Sequence, residues 1–140
     1  MILTETADLA SLVRPELIFP DLPGPDRQSV LRGISNRLAE AGAIDDAEQL
    51  YRKLLEREEL GSTCVQPGVA IPHCKFDGIE RVLVSVGLCP DGAEFGGEED
   101  EPVKLFFTVI SPASDPPAHL QSLALISRWI KDGQHVETLV

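Results

Sequence analysis

Cysteine is scarce in this chain. The three present, Cys64, Cys74 and Cys89, cannot all pair, and their spacing matches no metal-binding pattern. Such usage points to a reducing compartment, the cytoplasm. Long apolar runs are missing as well: no stretch approaches the roughly 20 residues that cross a bilayer. The opening Met1-Ile2-Leu3-Thr4-Glu5 lacks the basic region of a signal peptide. No membrane insertion is expected. Positive charge is the third shortage, with 12 Lys and Arg against 23 Asp and Glu and a net charge of −11. That surface repels nucleic-acid phosphates and anionic lipid, and it suits a protein partner with a basic docking face. Most of the acidic residues serve solubility. The run Glu98-Glu99-Asp100-Glu101 reads as a solvated loop tip.

What remains is ordinary for a globular chain: 140 residues, 43% hydrophobic and 25% charged, enough for one packed core. Residues 1–13 carry a weak helical pattern (Leu3, Leu9, Leu12, Val13) that the Arg14-Pro15 step ends. Leu17-Ile18-Phe19 is a short strand candidate. Asp26 is a predicted N-cap for a helix to about Ala41, with Val30, Leu31, Ile34 and Leu38 on one face and Gly42 as the stop. Asp45 or Asp46 caps a second helix, whose stripe is Ala47, Leu50, Tyr51, Leu54 and Leu55 and whose end carries Arg57-Glu58. Val82–Leu88 and Val103–Ile110 read as strands, the latter apolar on both faces and so central. Pro90-Asp91-Gly92 and Gly96-Gly97 mark turns of a meander, with a short strand near Ala93–Phe95. A last helix starts close to His119, is predicted to bury Leu120, Leu123, Ala124, Ser127 and Ile130, and ends at Asp132-Gly133. The sum is an α/β single domain with a mixed sheet of about five strands flanked by helices.

The chain is organised around Gly61 to Gly78. There the apolar run Val69-Ala70-Ile71 is too short for a helix and is stopped by Pro72, which has no N–H for a ladder. His73 therefore emerges at a strand end on a stiff backbone. An imidazole there can be a nucleophile, a general base or a metal ligand, or it can merely cap a loop.

Taken together, Arg57-Glu58, Ser62-Thr63, Gly68-Val69-Ala70-Ile71-Pro72-His73 and the distant His119-Leu120 resemble enzyme IIA of the fructose/mannitol type. That is a phosphocarrier module of the bacterial phosphoenolpyruvate-dependent phosphotransferase system, with nitrogen-regulatory relatives. The resemblance runs from about Leu9 to Trp129. It implies that His73 is the phosphorylated residue, that His119 is the second site histidine, and that Arg57 belongs to the site. It implies no cofactor and no metal. The implied partners are the histidine-containing phosphocarrier protein and either an enzyme IIB or a regulatory target protein. The domain, residues 1–140, is expected to lack the final amphipathic helix of its relatives.

The residues bear two readings each. His119 offers an N–H to phosphoryl oxygens or satisfies a loop carbonyl. Arg57 supplies a planar fork for phosphate, or pairs with Glu56, Glu58 or Glu59. Ser62 and Thr63 bond phosphate or shape the turn. His135, with no motif around it, reads as surface. Cys74 stands where the family often has glycine, placing a thiol beside the nucleophile. A cysteine mechanism would need a basic neighbour, and Lys75 is the only one nearby in sequence. Two functions follow: phosphoryl transfer from the phosphocarrier protein through His73 to an enzyme IIB cysteine, or a regulatory module whose phosphorylation state gates protein contacts. A metal hydrolase built on His73 and His119 lacks a third ligand. The apolar centre of a docking face is expected at Val69, Ile71 and Phe76, with Trp129, Val136 and Leu139 as a competing patch.

Overall fold

A computed structural model of the protein describes residues 13–95 and 102–131. Of the helical pattern expected over residues 1–13, only Val13 is described, and it opens a strand; residues 1–12, the Gly96-Gly97 turn, the acidic run, the Asp132-Gly133 stop, His135, Val136 and Leu139 lie outside the described residues. Among the described residues six strands and three helices follow in chain order: β1 (Val13–Phe19), α1 (Arg27–Glu40), α2 (Ala47–Glu59), β2 (Cys64–Gln66), β3 (Val69–Ala70), β4 (His73–Lys75), β5 (Leu83–Ala93), β6 (Val103–Ser111) and α3 (Pro116–Lys131). The sheet is mixed, in the order β1-β5-β6-β3-β2, and β4 also pairs with β6.

Local chemistry explains most boundaries. Asp26 and Asp46 cap α1 and α2, each accepting from the backbone N–H three residues on, Ser29 and Gln49. Gly42 follows α1 at φ 78°, the left-handed geometry that stops a helix. Strand β1 begins earlier than the sequence suggests and runs through Pro15. It is an edge strand, where a missing ladder N–H is tolerated. Pro90-Asp91-Gly92 is not a turn. Between the pairs Leu88↔Leu105 and Ala93↔Val103 the register shifts, so these residues form an irregularity inside β5, and no separate strand stands at Ala93–Phe95.

Strand β6 is central, antiparallel to β5 on one side and parallel to β3 and β4 on the other. Its alternate residues feed two cores. Phe106 and Ile110 join Leu31, Leu38, Leu50 and Leu54 of α1 and α2, whereas Leu105, Phe107 and Val109 join Ile126 and Ile130 of α3. Trp129 packs edge-on against Phe107 with ring centroids 5.4 Å apart. Helix α3 is rotated from the sequence expectation. It buries His119, Ser122, Ile126 and Ile130, leaving Leu120 66% exposed and Ala124 exposed. The polar residues His119 and Ser122 face inward, and a pattern that scores only apolar residues misplaces the phase.

Strands β3 and β4 are one line of chain. The pairs Val69↔Leu105 and His73↔Val109 keep the same offset, and the ladder lapses only at Ile71-Pro72. Before it, a two-residue turn at Pro67-Gly68, with Gly68 at φ 84°, folds β2 back along β3.

Candidate functional site

The alternation of the β3–β4 line decides how His73 is held. In a parallel ladder alternate residues turn their N–H and C=O groups toward one neighbour. Pro72 faces β6 and contributes only its carbonyl, which accepts from Val109 N–H at 2.9 Å. Ile71 faces the other way. Its N–H goes to the Thr63 carbonyl at 2.9 Å, and its own carbonyl lies 2.8 Å from Nδ1 of His73. His73 thus opens a short strand instead of standing on a loop, with its ring folded over its own backbone.

That contact fixes the ring's chemistry. A carbonyl can only accept, so Nδ1 carries the proton and Nε2 keeps its lone pair. Arg57 Nε donates to Nε2 at 3.3 Å, a bond that requires the same lone pair. Burial holds the His73 pKa below its ordinary 6.5. The Arg57 charge adds to that, and the Ile71 hydrogen bond works against it. The ring is therefore neutral near pH 7, and its unprotonated Nε2 lines the cleft with Arg57 as its donor.

His119 arrives from the first turn of α3. Its ring centroid is 5.4 Å from that of His73, with the planes tilted by 57°. It is buried, and its Nδ1 lies 2.7 Å from Ser111 Oγ at the end of β6. Burial, followed by the neighbouring His73 and Lys75, lowers its pKa as well.

Arg57 comes from the last turn of α2, where a cation complements the helix dipole. It also donates to the Gly61 carbonyl at 2.8 Å. Among the described residues no carboxylate lies within ion-pair distance of it. The structure brings His73, His119 and Arg57 around one open cleft of about 360 Å³, lined also by Lys53, Glu56, Leu60, Cys74 and Lys75.

Ser62 and Thr63 do not line this cleft. Ser62 Oγ donates to the Phe95 carbonyl at 2.6 Å and accepts from Cys64 N–H at 3.1 Å. Thr63 donates twice to buried Glu58, from N–H and from Oγ1, each at 2.7 Å. Burial raises the Glu58 pKa, and the Thr63 bonds oppose that rise. The Arg57-Glu58 pair thus divides its work: Arg57 reaches the cleft, and Glu58 anchors the loop that leads to β2.

Cys74 pairs with Ile110 and packs against the core on the α1/α2 side. Burial pushes its thiol up to about 12, so no thiolate is available near neutral pH for nucleophilic attack. Among the described residues no group of three or more His, Cys, Asp or Glu is placed to hold a metal. Val69, Ile71 and Phe76 are core residues, at most 3% exposed, and do not form an apolar docking centre. Leu60, 86% exposed on the cleft wall, does present apolar surface there. Lys53 and Leu60 were not singled out from the sequence, and Glu56 was named only as a possible ion-pair partner of Arg57. Their signal is spacing, since with Arg57 they occupy positions i, i+3, i+4 and i+7 of one α2 face.

Residues 11–140 match the family model described as "Phosphoenolpyruvate-dependent sugar phosphotransferase system, EIIA 2". The chain belongs to the EIIA 2 family. A fructose-specific EIIA component from Haloferax volcanii is 31% identical over 124 residues, covering 89% of this chain and 80% of that protein. A nitrogen regulatory protein from Bradyrhizobium diazoefficiens is 32% identical over the same length and with the same coverage. Among solved structures, nitrogen regulatory protein IIA-Ntr from Neisseria meningitidis superposes with a TM-score of 0.83 at 22% identity, covering 94% of this chain and 89% of its own. Enzyme IIA-Mtl of Escherichia coli, solved in complex with phosphorylated enzyme IIB-Mtl, gives 0.75 at 22% identity, with coverage of 91% and 87%. The EIIA 2 fold is shared throughout, and no helix among the described residues is long and apolar enough to cross a membrane.

Proposed function

We propose that the chain is a cytoplasmic phosphocarrier in which Nε2 of His73 accepts a phosphoryl group from a histidine-containing phosphocarrier protein. The observation that carries this reading is the tether of Nδ1 to the Ile71 carbonyl, which leaves Nε2 unprotonated at the cleft, its lone pair engaged only by the Arg57 donor. As that lone pair forms the new N–P bond, the N–P bond to the carrier histidine breaks and its electron pair returns to the carrier ring. The positive charge gained by the His73 ring is stabilised through Nδ1–H and the Ile71 carbonyl. Arg57 moves its donor from Nε2 to the phosphoryl oxygens, and His119 supplies a second donor from the opposite wall. Onward transfer places the group on a cysteine thiolate of an enzyme IIB, with S–P formed and N–P broken.

Exposed Leu60 and the acidic surface suit a small, brief contact with a basic partner. The test is incubation with phosphoenolpyruvate, enzyme I and the phosphocarrier protein. His73 takes up acid-labile, base-stable label, and a His73→Ala variant that takes up full label overturns the assignment. The nitrogen-regulatory relative at 32% identity favours a second reading, in which the phosphorylation state controls protein partners without sugar transport. Transfer of label onward to an enzyme IIB separates the two.

A further inference from the structure

The face of β6 that packs toward α3 reads Leu105, Phe107, Val109 and then Ser111, so a serine occupies the last position of an otherwise apolar buried stripe. Ser111 has no exposed surface. Its backbone is anchored, with its carbonyl accepting from Phe76 N–H at 2.9 Å. Among the described residues its hydroxyl has one partner, Nδ1 of His119 at 2.7 Å. On the neighbouring strand, His73 pairs with Val109 and Lys75 with Ser111, which puts this serine one step beyond the nucleophile on the same face of the sheet.

We propose that Ser111 is a positioning residue whose hydroxyl donates to Nδ1 of His119 and so fixes the ring in the tautomer that presents an Nε2–H donor to the phosphoryl group on His73. The direction of the bond follows from satisfaction. A serine hydroxyl has one proton and no choice of acceptor here. Were Nδ1–H the donor, the buried serine proton would be left unpaired, a cost avoided when the hydroxyl donates instead. With Nδ1 occupied as an acceptor, the single proton of the neutral ring sits on Nε2. The lowered pKa of His119 keeps the ring in that neutral form near pH 7. A donor is what a phosphoryl group needs from the second wall; a lone pair there would repel its oxygens.

The proposal rests on the phosphoryl-site reading of the cleft, and the two are tested separately. Imidazole nitrogen shifts of ¹⁵N-histidine-labelled protein report each tautomer without any phosphoryl donor. The wild type is expected to show a protonated Nε2 and an acceptor-type Nδ1 on His119, the reverse of His73. Ser111→Ala is expected to release His119 into a mixture of tautomers and slow phosphoryl transfer about fivefold, with the His73 tautomer unmoved. Ser111→Thr, which keeps the hydroxyl, is expected to restore both. A proton on Nδ1 of His119 in the wild type overturns the role of Ser111 even if the variants fail to fold. So does a folded Ser111→Ala protein with an unchanged His119 tautomer. Failure of His73 to take label overturns the phosphoryl-site reading and leaves the tautomer result standing.

Discussion

His73 and His119 are the same side chain a ring's width apart, and each is tied down at Nδ1. The partners differ: a backbone carbonyl that can only accept for His73, and for His119 a serine hydroxyl, which donates in the arrangement proposed above. One ring is left with a lone pair at Nε2 and the other with a proton there. In the proposed reading the nucleophile and the donor are thus distinguished by the group behind each ring, not by the ring itself. The neighbouring secondary structure explains why. Strand alternation turns Ile71 away from β6 and toward β2, which leaves its carbonyl to the ring two residues on, while Pro72 only withholds an N–H from the β3–β4 line. His119 has no such carbonyl and depends on a side chain from the far end of β6.

Removing the donor ring should have the largest effect among the residues around the nucleophile. His119→Ala is expected to slow transfer about a hundredfold while His73 remains the acceptor. Label appearing at full rate would break the pairing of roles. In the proposed reading Arg57 shifts its donor from Nε2 of His73 to the phosphoryl oxygens, so Arg57→Ala should slow transfer about tenfold, measured in the same assay. Arg57→Lys should not restore the rate, because an ammonium lacks the planar fork.

The pH response sharpens the comparison. Both histidines have pKa values below the unfolded 6.5. Below 6.5 the unfolded chain binds protons that the native rings refuse, so stability is lost as pH falls from there toward the native values. Thermal melts from about pH 8 to about pH 5.5 should therefore show a larger drop for the wild type than for His73→Ala. Glu58, whose raised pKa acts in the opposite sense above 4.5, is common to both proteins and cancels in the difference. Equal drops would contradict the burial account of His73. The smallest effect is expected at Cys74. Cys74→Ser should leave the transfer rate within about twofold, since a thiol with a pKa of about 12 is not a thiolate at neutral pH. Loss of transfer on that change would reinstate a cysteine step.

Much of this was legible in the residues. The caps Asp26 and Asp46, the central strand β6 and the exit of His73 after Pro72 all follow from short-range chemistry that the sequence states openly. The turn of α3 was not legible, because its buried face is led by His119 and Ser122 and apolar spacing points one residue away. Nor were the partners of Ser62, Thr63 and Glu58, which depend on how the loop after α2 closes upon itself. Val69, Ile71 and Phe76 looked available for docking because a sequence does not say which side of a short strand the core claims. Leu60, the cap residue after α2, drew no attention because it belongs to no motif and to no buried stripe.

In the proposed reading the unprotonated nitrogen of His73, Nε2, is the nucleophile. Nitrogen-resolved NMR of the phosphorylated, ¹⁵N-histidine-labelled protein, read through coupling to ³¹P, tests it most directly. The account predicts phosphorus bonded to Nε2 of His73, with Nδ1 still protonated against the Ile71 carbonyl. Phosphorus on Nδ1 of His73, or on His119, would contradict it.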